Sequence, residues 1–102
     1  MSVTKLTAAN FEQEVMKNAK PVLIDFYADW CGPCQMVSPI VEEIAEEYPQ
    51  FAVCKVNVDE EPLLAQKFGI MSIPALFVVK EGKITAENVG AIPKEEILQM
   101  FN

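Results

Sequence analysis

Three short apolar segments alternate with amphipathic ones along the chain. Residues 22–28, 51–58 and 75–79 are rich in branched and aromatic side chains, and the last of these segments is apolar throughout. Continuous apolar runs of this length are typical of strands that are covered on both faces. Residues 3–6 are expected to form a short edge strand. Residues 84–89 follow a glycine-containing turn and are expected to pair antiparallel with the strand before them.

Two segments in the first half of the chain show helical spacing. Thr7 or Asn10 is expected to cap a first helix that carries the apolar residues Phe11, Val15 and Met16. A second helix places apolar side chains at helical spacing over residues 37–48, with four glutamates on its opposite face.

Two further helices complete the pattern. One covers about residues 62–68 and ends at Gly69, a favourable residue after a helix C-terminus. The last covers about residues 93–101. The order β-α-β-α-β-α-β-β-α predicts an α/β fold with a mixed central sheet of about five strands, flanked on both faces by four helices.

Composition limits the partners that the protein is expected to have. The 102 residues, half of them hydrophobic, suffice for one domain, 1–102, with a conventional core. The eight basic residues are all Lys, against fifteen Asp and Glu, for a net charge of −7. Because an acidic chain without Arg is a poor match for phosphate backbones and anionic lipids, neither nucleic acid nor a membrane surface is an expected partner.

The chain contains no His, which excludes several enzyme classes. No Ser-His or Cys-His nucleophile can be assembled, and the commonest zinc ligand is missing. No signal peptide and no membrane-spanning run is expected from the sequence. Three cysteines are too few for a disulfide scaffold, so a reducing, cytoplasmic location is expected.

The motif Trp30-Cys31-Gly32-Pro33-Cys34 directly follows a predicted buried strand and begins a predicted helix. Cysteines three residues apart at a helix start are close enough to form a disulfide. Free backbone N–H groups and the helix dipole stabilise a thiolate at the first cysteine, and the second is expected to be more shielded. This asymmetry predicts that Cys31 attacks a disulfide and that Cys34 resolves the mixed disulfide, by thiol–disulfide exchange.

Two other interpretations of the pair stay open on the residues alone. It could form half of a metal or iron–sulfur site, for which only Cys54 and carboxylates remain as further ligands. The cysteines could also be chemically inert. Cys54 itself is expected to be a small buried core residue, with a regulatory thiol as the alternative.

Beyond this motif, Asp25, Lys55, Ile73-Pro74 and Gly90 stand at positions that make the whole chain, from Val3 to Phe101, resemble the thioredoxin family. The resemblance implies the thioredoxin fold, a monomer and no bound cofactor or metal. It also implies a general protein-disulfide reductase whose partners are proteins with disulfides and a thioredoxin reductase, supplied by NADPH or by ferredoxin. The Gly-Pro pair between the cysteines is similar to the reducing branch of the fold.

The resemblance also implies roles for two charged residues within predicted strands. Asp25 is then a buried carboxyl that accepts the proton of Cys34 as a general base, and Lys55 places its ammonium near Asp25. The alternatives are a solvent-facing strand end for Asp25 and an ordinary edge lysine at position 55.

The resemblance further implies a cis peptide bond before Pro74 and a docking surface around Cys31. The backbone of Ile73 would pair with an extended substrate. Because the acidic clusters lie elsewhere in the sequence, this surface is expected to be apolar and free of strong charge, with Met71 and Ile92 as core residues in the alternative. Its expected substrate-binding residues are Trp30, Gly32, Pro33, Met71, Ile73, Pro74, Ala75, Gly90, Ala91 and Ile92.

Four positions depart from the usual family pattern, and we expect them to affect redox potential and partner preference rather than the reaction. Gln35 stands where a basic residue is frequent, and Tyr27 stands where Trp is frequent. Ser72 and Ala75 flank the Ile-Pro pair where Gly and Thr are common. A rival function of a different class is a binding module that serves as a subunit of a larger assembly.

Overall fold

The computed structural model describes residues 3–102 and contains one mixed five-stranded sheet within that range. The strands are β1 Val3–Lys5, β2 Val22–Tyr27, β3 Ala52–Asn57, β4 Ala75–Lys80 and β5 Lys83–Val89. The α-helices are α1 Gly32–Glu47, α2 Pro62–Lys67 and α3 Lys94–Gln99. The α/β class and the mixed sheet predicted from the sequence are confirmed.

The strand order is β1-β3-β2-β4-β5. Strand β3 pairs in parallel with both β1 and β2, whereas β4 pairs antiparallel with β2 and with β5. The predicted edge strand and the predicted hairpin are therefore both present. The apolar runs form β2 and β4, which lie next to each other in the interior of the sheet, and this position explains their continuous hydrophobicity.

Side chains alternate between two cores, one on each face of the sheet. On one face, Ile24, Phe26, Cys54 and Phe77 pack against Leu64 of α2 and its neighbours. On the other face, strand residues pack against α1 and α3; they include Leu23, Val53, Leu76 and Val78. Helices therefore cover both faces of the sheet, as the sequence predicted.

The first predicted helix differs from an ordinary α-helix. Thr7 and Asn10 exchange hydrogen bonds, each side-chain oxygen accepting from the backbone N–H of the other residue, as in a capping box. The segment Glu12–Met16 is then a π-helical turn, in which the Lys17 N–H donates to the Glu12 carbonyl. Because Phe11 and Val15 are four residues apart, either helix type buries both of them, whereas Met16 is exposed.

Helix α2 ends where the sequence predicted. Gly69 has a φ of 65°, which a glycine adopts without steric cost. Its N–H donates to the Gln66 carbonyl, and the Ile70 N–H donates to the Ala65 carbonyl. These two bonds form a Schellman motif, which turns the chain towards Met71 and the candidate site.

Within residues 3–102, no helix has the length and apolar character needed to cross a bilayer.

Candidate active site

Cys31 and Cys34 form a disulfide at the N-terminus of α1, with their Cα atoms 5.3 Å apart. Cys31 is the N-cap residue, and its Sγ accepts a hydrogen bond of 3.2 Å from the Cys34 N–H. Gly32 and Pro33 are the first two residues of the helix, where the missing N–H of a proline costs little. On reduction, this N–H and the helix dipole would stabilise a thiolate at Cys31.

Burial does not distinguish the two cysteines. Cys31 is 4% exposed and Cys34 is 3% exposed, so the expected greater shielding of Cys34 is absent in this oxidised state. The two sulfurs differ in their surroundings instead. Cys31 faces the Ile73 loop, with 3.9 Å between its Sγ and the Ile73 carbonyl oxygen, and Cys34 lies on a polar pocket beneath α1.

The Ile73–Pro74 peptide bond is cis. Pro74 is buried, and its carbonyl accepts a 2.8 Å hydrogen bond from the Gly90 N–H. Gly90 has a φ of 106°, a conformation that residues with a Cβ atom rarely adopt. The structure therefore brings Cys31, the Ile73–Pro74 turn and Gly90 together, although they are far apart in the sequence.

Beside Cys31, Trp30, Met71 and Ile73 line an apolar groove of about 170 Å³ together with Val58, Ala65, Ile70 and Ser72. Trp30 is 72% exposed and Met71 is 96% exposed. Exposure of this degree excludes the alternative that Met71 is a core residue, since large apolar side chains in the core are buried.

The expectation of a charge-free surface is wrong at Trp30. The indole Nε1 of Trp30 donates a 2.8 Å hydrogen bond to Asp59 Oδ2, which places one carboxylate of the acidic segment 59–61 beside the groove. Because β2 and β3 are parallel neighbours, the segments after them emerge at the same end of the sheet. The Asn57 side chain accepts from the Asp59 N–H and holds the turn that carries the carboxylate.

Three other predicted docking residues contribute unequally to the exposed surface. Ala75 is buried in the core as the first residue of β4, and Ile92 packs partly buried against the core on the α1 face. Ala91 is exposed. Val89, which the sequence reasoning missed, is 63% exposed and precedes Gly90 on the edge strand; an apolar residue at the end of an edge strand was the available signal.

Asp25 lies within β2 and is 3% exposed, so the solvent-facing alternative is excluded. Its Oδ1 has no hydrogen-bond partner. Burial raises the pKa of the carboxyl from 3.8 to about 7, against the opposing effect of the Lys55 charge. A carboxyl in this state can exchange a proton near neutral pH.

Lys55 is the register partner of Asp25 on β3, so the two side chains leave the sheet on the same face. Strand β3 lies between β1 and β2, which excludes an edge lysine. Lys55 and Cys34 line one polar pocket of about 280 Å³, whose other lining residues are Tyr27, Ala28, Asp29, Gln35 and Ser38.

Cys54 is the register partner of Ile24 and lies on the sheet face opposite to α1. It is a free thiol, 1% exposed, and burial raises its pKa to about 12. The expectation of a small buried core residue is confirmed for its position.

Among residues 3–102, no group of three or more Cys, Asp or Glu side chains is arranged to hold a metal ion.

Comparison with known proteins gives matches along the whole chain. The family model described as Thioredoxin matches residues 2–102. "Thioredoxin" from Pyropia yezoensis is 50% identical over 103 aligned positions, covering 100% of this chain and 96% of that protein. "Thioredoxin 1" from Synechococcus elongatus is 52% identical over 90 residues, with 87% and 84% covered. "Thioredoxin" from Pseudomonas aeruginosa is 42% identical over 96 residues, with 93% and 89% covered.

These matches span the elements that build the site: the disulfide at the start of α1, the buried Asp25 and the cis Ile73–Pro74 bond. With a family model over nearly the full length and relatives at about half identity, the chain belongs to the thioredoxin family.

Proposed function

We propose that this protein reduces disulfides in other proteins, with Cys31 as the attacking thiolate and Cys34 as the resolving thiol. Thiol–disulfide oxidoreductase activity itself follows from membership of the thioredoxin family and from the Cys31–Cys34 disulfide. The position of Cys31 as N-cap of α1, with its Sγ facing the Cys34 N–H, is the observation that supports the assignment of roles.

In the first step, the Cys31 thiolate attacks one sulfur of a substrate disulfide. A mixed disulfide forms between Cys31 and the substrate, and the other substrate sulfur leaves as a thiolate. The cis Ile73–Pro74 turn next to the Cys31 Sγ supports this docking, because the Ile73 backbone lies where an extended substrate segment could pair with it.

In the second step, Asp25 takes the proton from the Cys34 thiol. The Cys34 thiolate then attacks the Cys31 sulfur, the reduced substrate leaves, and the Cys31–Cys34 disulfide seen in this structure is formed. The burial of Asp25 supports its role as base, because a base works best when its pKa is close to the operating pH.

The dithiol must be restored by an external reductant, for which we propose a thioredoxin reductase. We also propose that residues 1–102 act as a monomeric single domain in the cytoplasm, within cellular electron transport. A reducing compartment is consistent with a disulfide that must be opened in every cycle and with the free Cys54 thiol. Cell fractionation and size-exclusion chromatography test the last two points.

The test is reduction of insulin disulfides with dithiothreitol as the electron source. We expect Cys31→Ser to lose the activity. We expect Cys34→Ser to accumulate a mixed disulfide on Cys31, visible as a slower band on non-reducing gels. Cys54→Ala is the matched control and should retain the wild-type rate. Insulin reduction by Cys31→Ser at the wild-type rate would rule the assignment out.

A further inference from the structure

Asp25 and Lys55 are adjacent in the sheet register but do not form an ion pair. Their Cα atoms are register partners on β2 and β3, and the Asp25 Oδ1 is buried without a partner. Within residues 3–102, Lys55 makes no salt bridge at 4.0 Å or less. A lysine beside a buried carboxylate ordinarily pairs with it, so this separation needs a cause.

The Lys55 ammonium lies over the ring of Tyr27 instead, with Nζ 5.8 Å from the ring centroid. This distance is within the range of a cation–π interaction. Tyr27 follows Asp25 by two residues on β2, so both side chains leave the same face of the sheet. Tyr27 and Lys55 also line the pocket that reaches Cys34, and Asp25 lies outside that lining.

We infer that Tyr27 is a positioning residue: its ring holds the Lys55 ammonium in the pocket and away from Asp25, so that the carboxyl stays unpaired and can exchange a proton with Cys34. This inference rests on the proposed role of Asp25 as the base for Cys34. Tyr27 also packs against the cluster formed by Ala28, Cys31 and Cys34, but in this proposal it acts on Asp25 through Lys55.

The two positions of the ammonium have opposite consequences for the base. Over Tyr27, the positive charge lowers the pKa of Asp25 only partly, and burial still raises that pKa to about 7. In direct contact with the carboxylate, the same charge would lower the pKa further, because an opposite charge within about 4–6 Å favours the ionised form. The carboxylate would then be a weaker base.

Few other titratable or charged groups face this region. The Tyr27 side chain comes from β2, Lys55 from β3 and Cys34 from α1. Asp29, from the loop after β2, lines the same polar pocket as Cys34 and Lys55. The neighbour of Asp25 on β4 is the apolar Leu76. The cation that could approach Asp25 from a neighbouring strand is therefore the Lys55 ammonium on β3.

The test is a carboxyl NMR titration of Asp25 in the reduced protein. Tyr27→Leu removes the ring face, and we expect the pKa of Asp25 to fall by about one pH unit. Tyr27→Trp keeps a ring face and should leave the pKa close to that of the wild type. Tyr27→Met is a second ring-free variant of different shape, which gives the same expectation if Tyr27→Leu does not fold.

Dependence on Lys55 separates positioning from a general structural effect. In a Lys55→Met background, the substitution Tyr27→Leu should no longer lower the pKa of Asp25. An unchanged or raised pKa in both ring-free variants would overturn the inference, and so would a lowered pKa that persists without Lys55.

This titration is independent of turnover. If the proposed function is wrong, Cys31→Ser will still reduce insulin. If the inference about Tyr27 is wrong, only the titrations of the Tyr27 and Lys55 variants will show it. The pH dependence of the step in which Cys34 resolves the mixed disulfide is a second readout. The midpoint of this pH profile should move to lower pH in Tyr27→Leu and stay unchanged in Tyr27→Trp.

Discussion

The indole of Trp30 is tied to the carboxylate of Asp59 by a 2.8 Å hydrogen bond between residues 29 positions apart in the sequence. Trp30 is otherwise largely exposed beside the disulfide. The bond therefore fixes the orientation of the largest apolar side chain on the docking surface, and it places a negative charge at the rim of the groove.

Loss of this bond should weaken docking without changing the chemistry. We expect Asp59→Ala to raise the KM for a protein disulfide about fivefold, as expected for one hydrogen bond of about 1 kcal/mol, with kcat unchanged. Trp30 fluorescence anisotropy should fall because the indole gains rotational freedom. Asp59→Asn keeps an acceptor and is the matched control. Equal KM values for Asp59→Ala and the wild type would show that the bond does not support docking.

The buried carboxyl of Asp25 should make stability depend on pH. Because its pKa rises from 3.8 to about 7 on folding, the folded state holds a proton that the unfolded state has lost between these values. Stability should therefore fall as pH rises from about 4 to 7. The loss reaches about 4 kcal/mol at most, at about 1.4 kcal/mol per pH unit.

Asp25→Asn removes this titration while keeping a polar group of the same shape. Urea unfolding at pH 4, 5.5, 7 and 8 should show a flatter pH dependence for the variant. Its free energy of unfolding should exceed that of the wild type at pH 7 and above. Parallel curves for the two proteins across this range would contradict the raised pKa.

Gly90 should resist substitution for conformational reasons. A Cβ atom would meet no atom within 4 Å, but the φ of 106° is one that other residues rarely adopt. We expect Gly90→Ala to lower the free energy of unfolding by about 2 kcal/mol. Gly32→Ala is the control, because its Cβ also meets open space and its φ lies outside the positive range; urea denaturation should show no loss there.

Cys54 should be unreactive in the folded protein. Its thiol is buried on the sheet face opposite to α1, and its pKa is raised to about 12, so almost no thiolate forms at neutral pH. After reduction, iodoacetamide should label Cys31, whose thiolate the start of α1 stabilises, as read by mass spectrometry. Labelling of Cys54 should require denaturant. Fast labelling of native Cys54 would indicate an opening of the core that the structure does not contain.

The elements with the strongest burial were predictable from the sequence. Strands β2 and β4 have both faces covered, so their apolar runs are continuous. Helix α1 has one apolar and one acidic face. Helix ends were predicted less exactly. The last helix was expected to extend to residue 101, but α3 ends at Gln99. Phe101 suggested the longer helix because it is a core residue, although it lies outside the helix. The π-helical turn after Asn10 was also missed, since its apolar spacing fits an α-helix equally well.

Contacts between distant segments were harder to predict. The bond from Asp59 to Trp30 depends on the order of β2 and β3 in the sheet, which the apolar pattern does not encode. The same is true of Ile92, whose sequence position two residues after Gly90 suggested the docking surface but whose side chain packs on the core. The location of the Lys55 ammonium over Tyr27 likewise required side-chain geometry.

Cys31 is the N-cap of helix α1 and Cys34 lies in its first turn, and the buried residues Val37, Val41 and Ile44 anchor this helix to the sheet. We therefore expect reduction of the disulfide to change the two cysteine side chains and to leave the helix in place. We expect both oxidation states to present nearly the same outline to a partner. An oxidised substrate and its reduced product would then be distinguished by the reactivity of the sulfur atoms and not by a change in the shape of the protein.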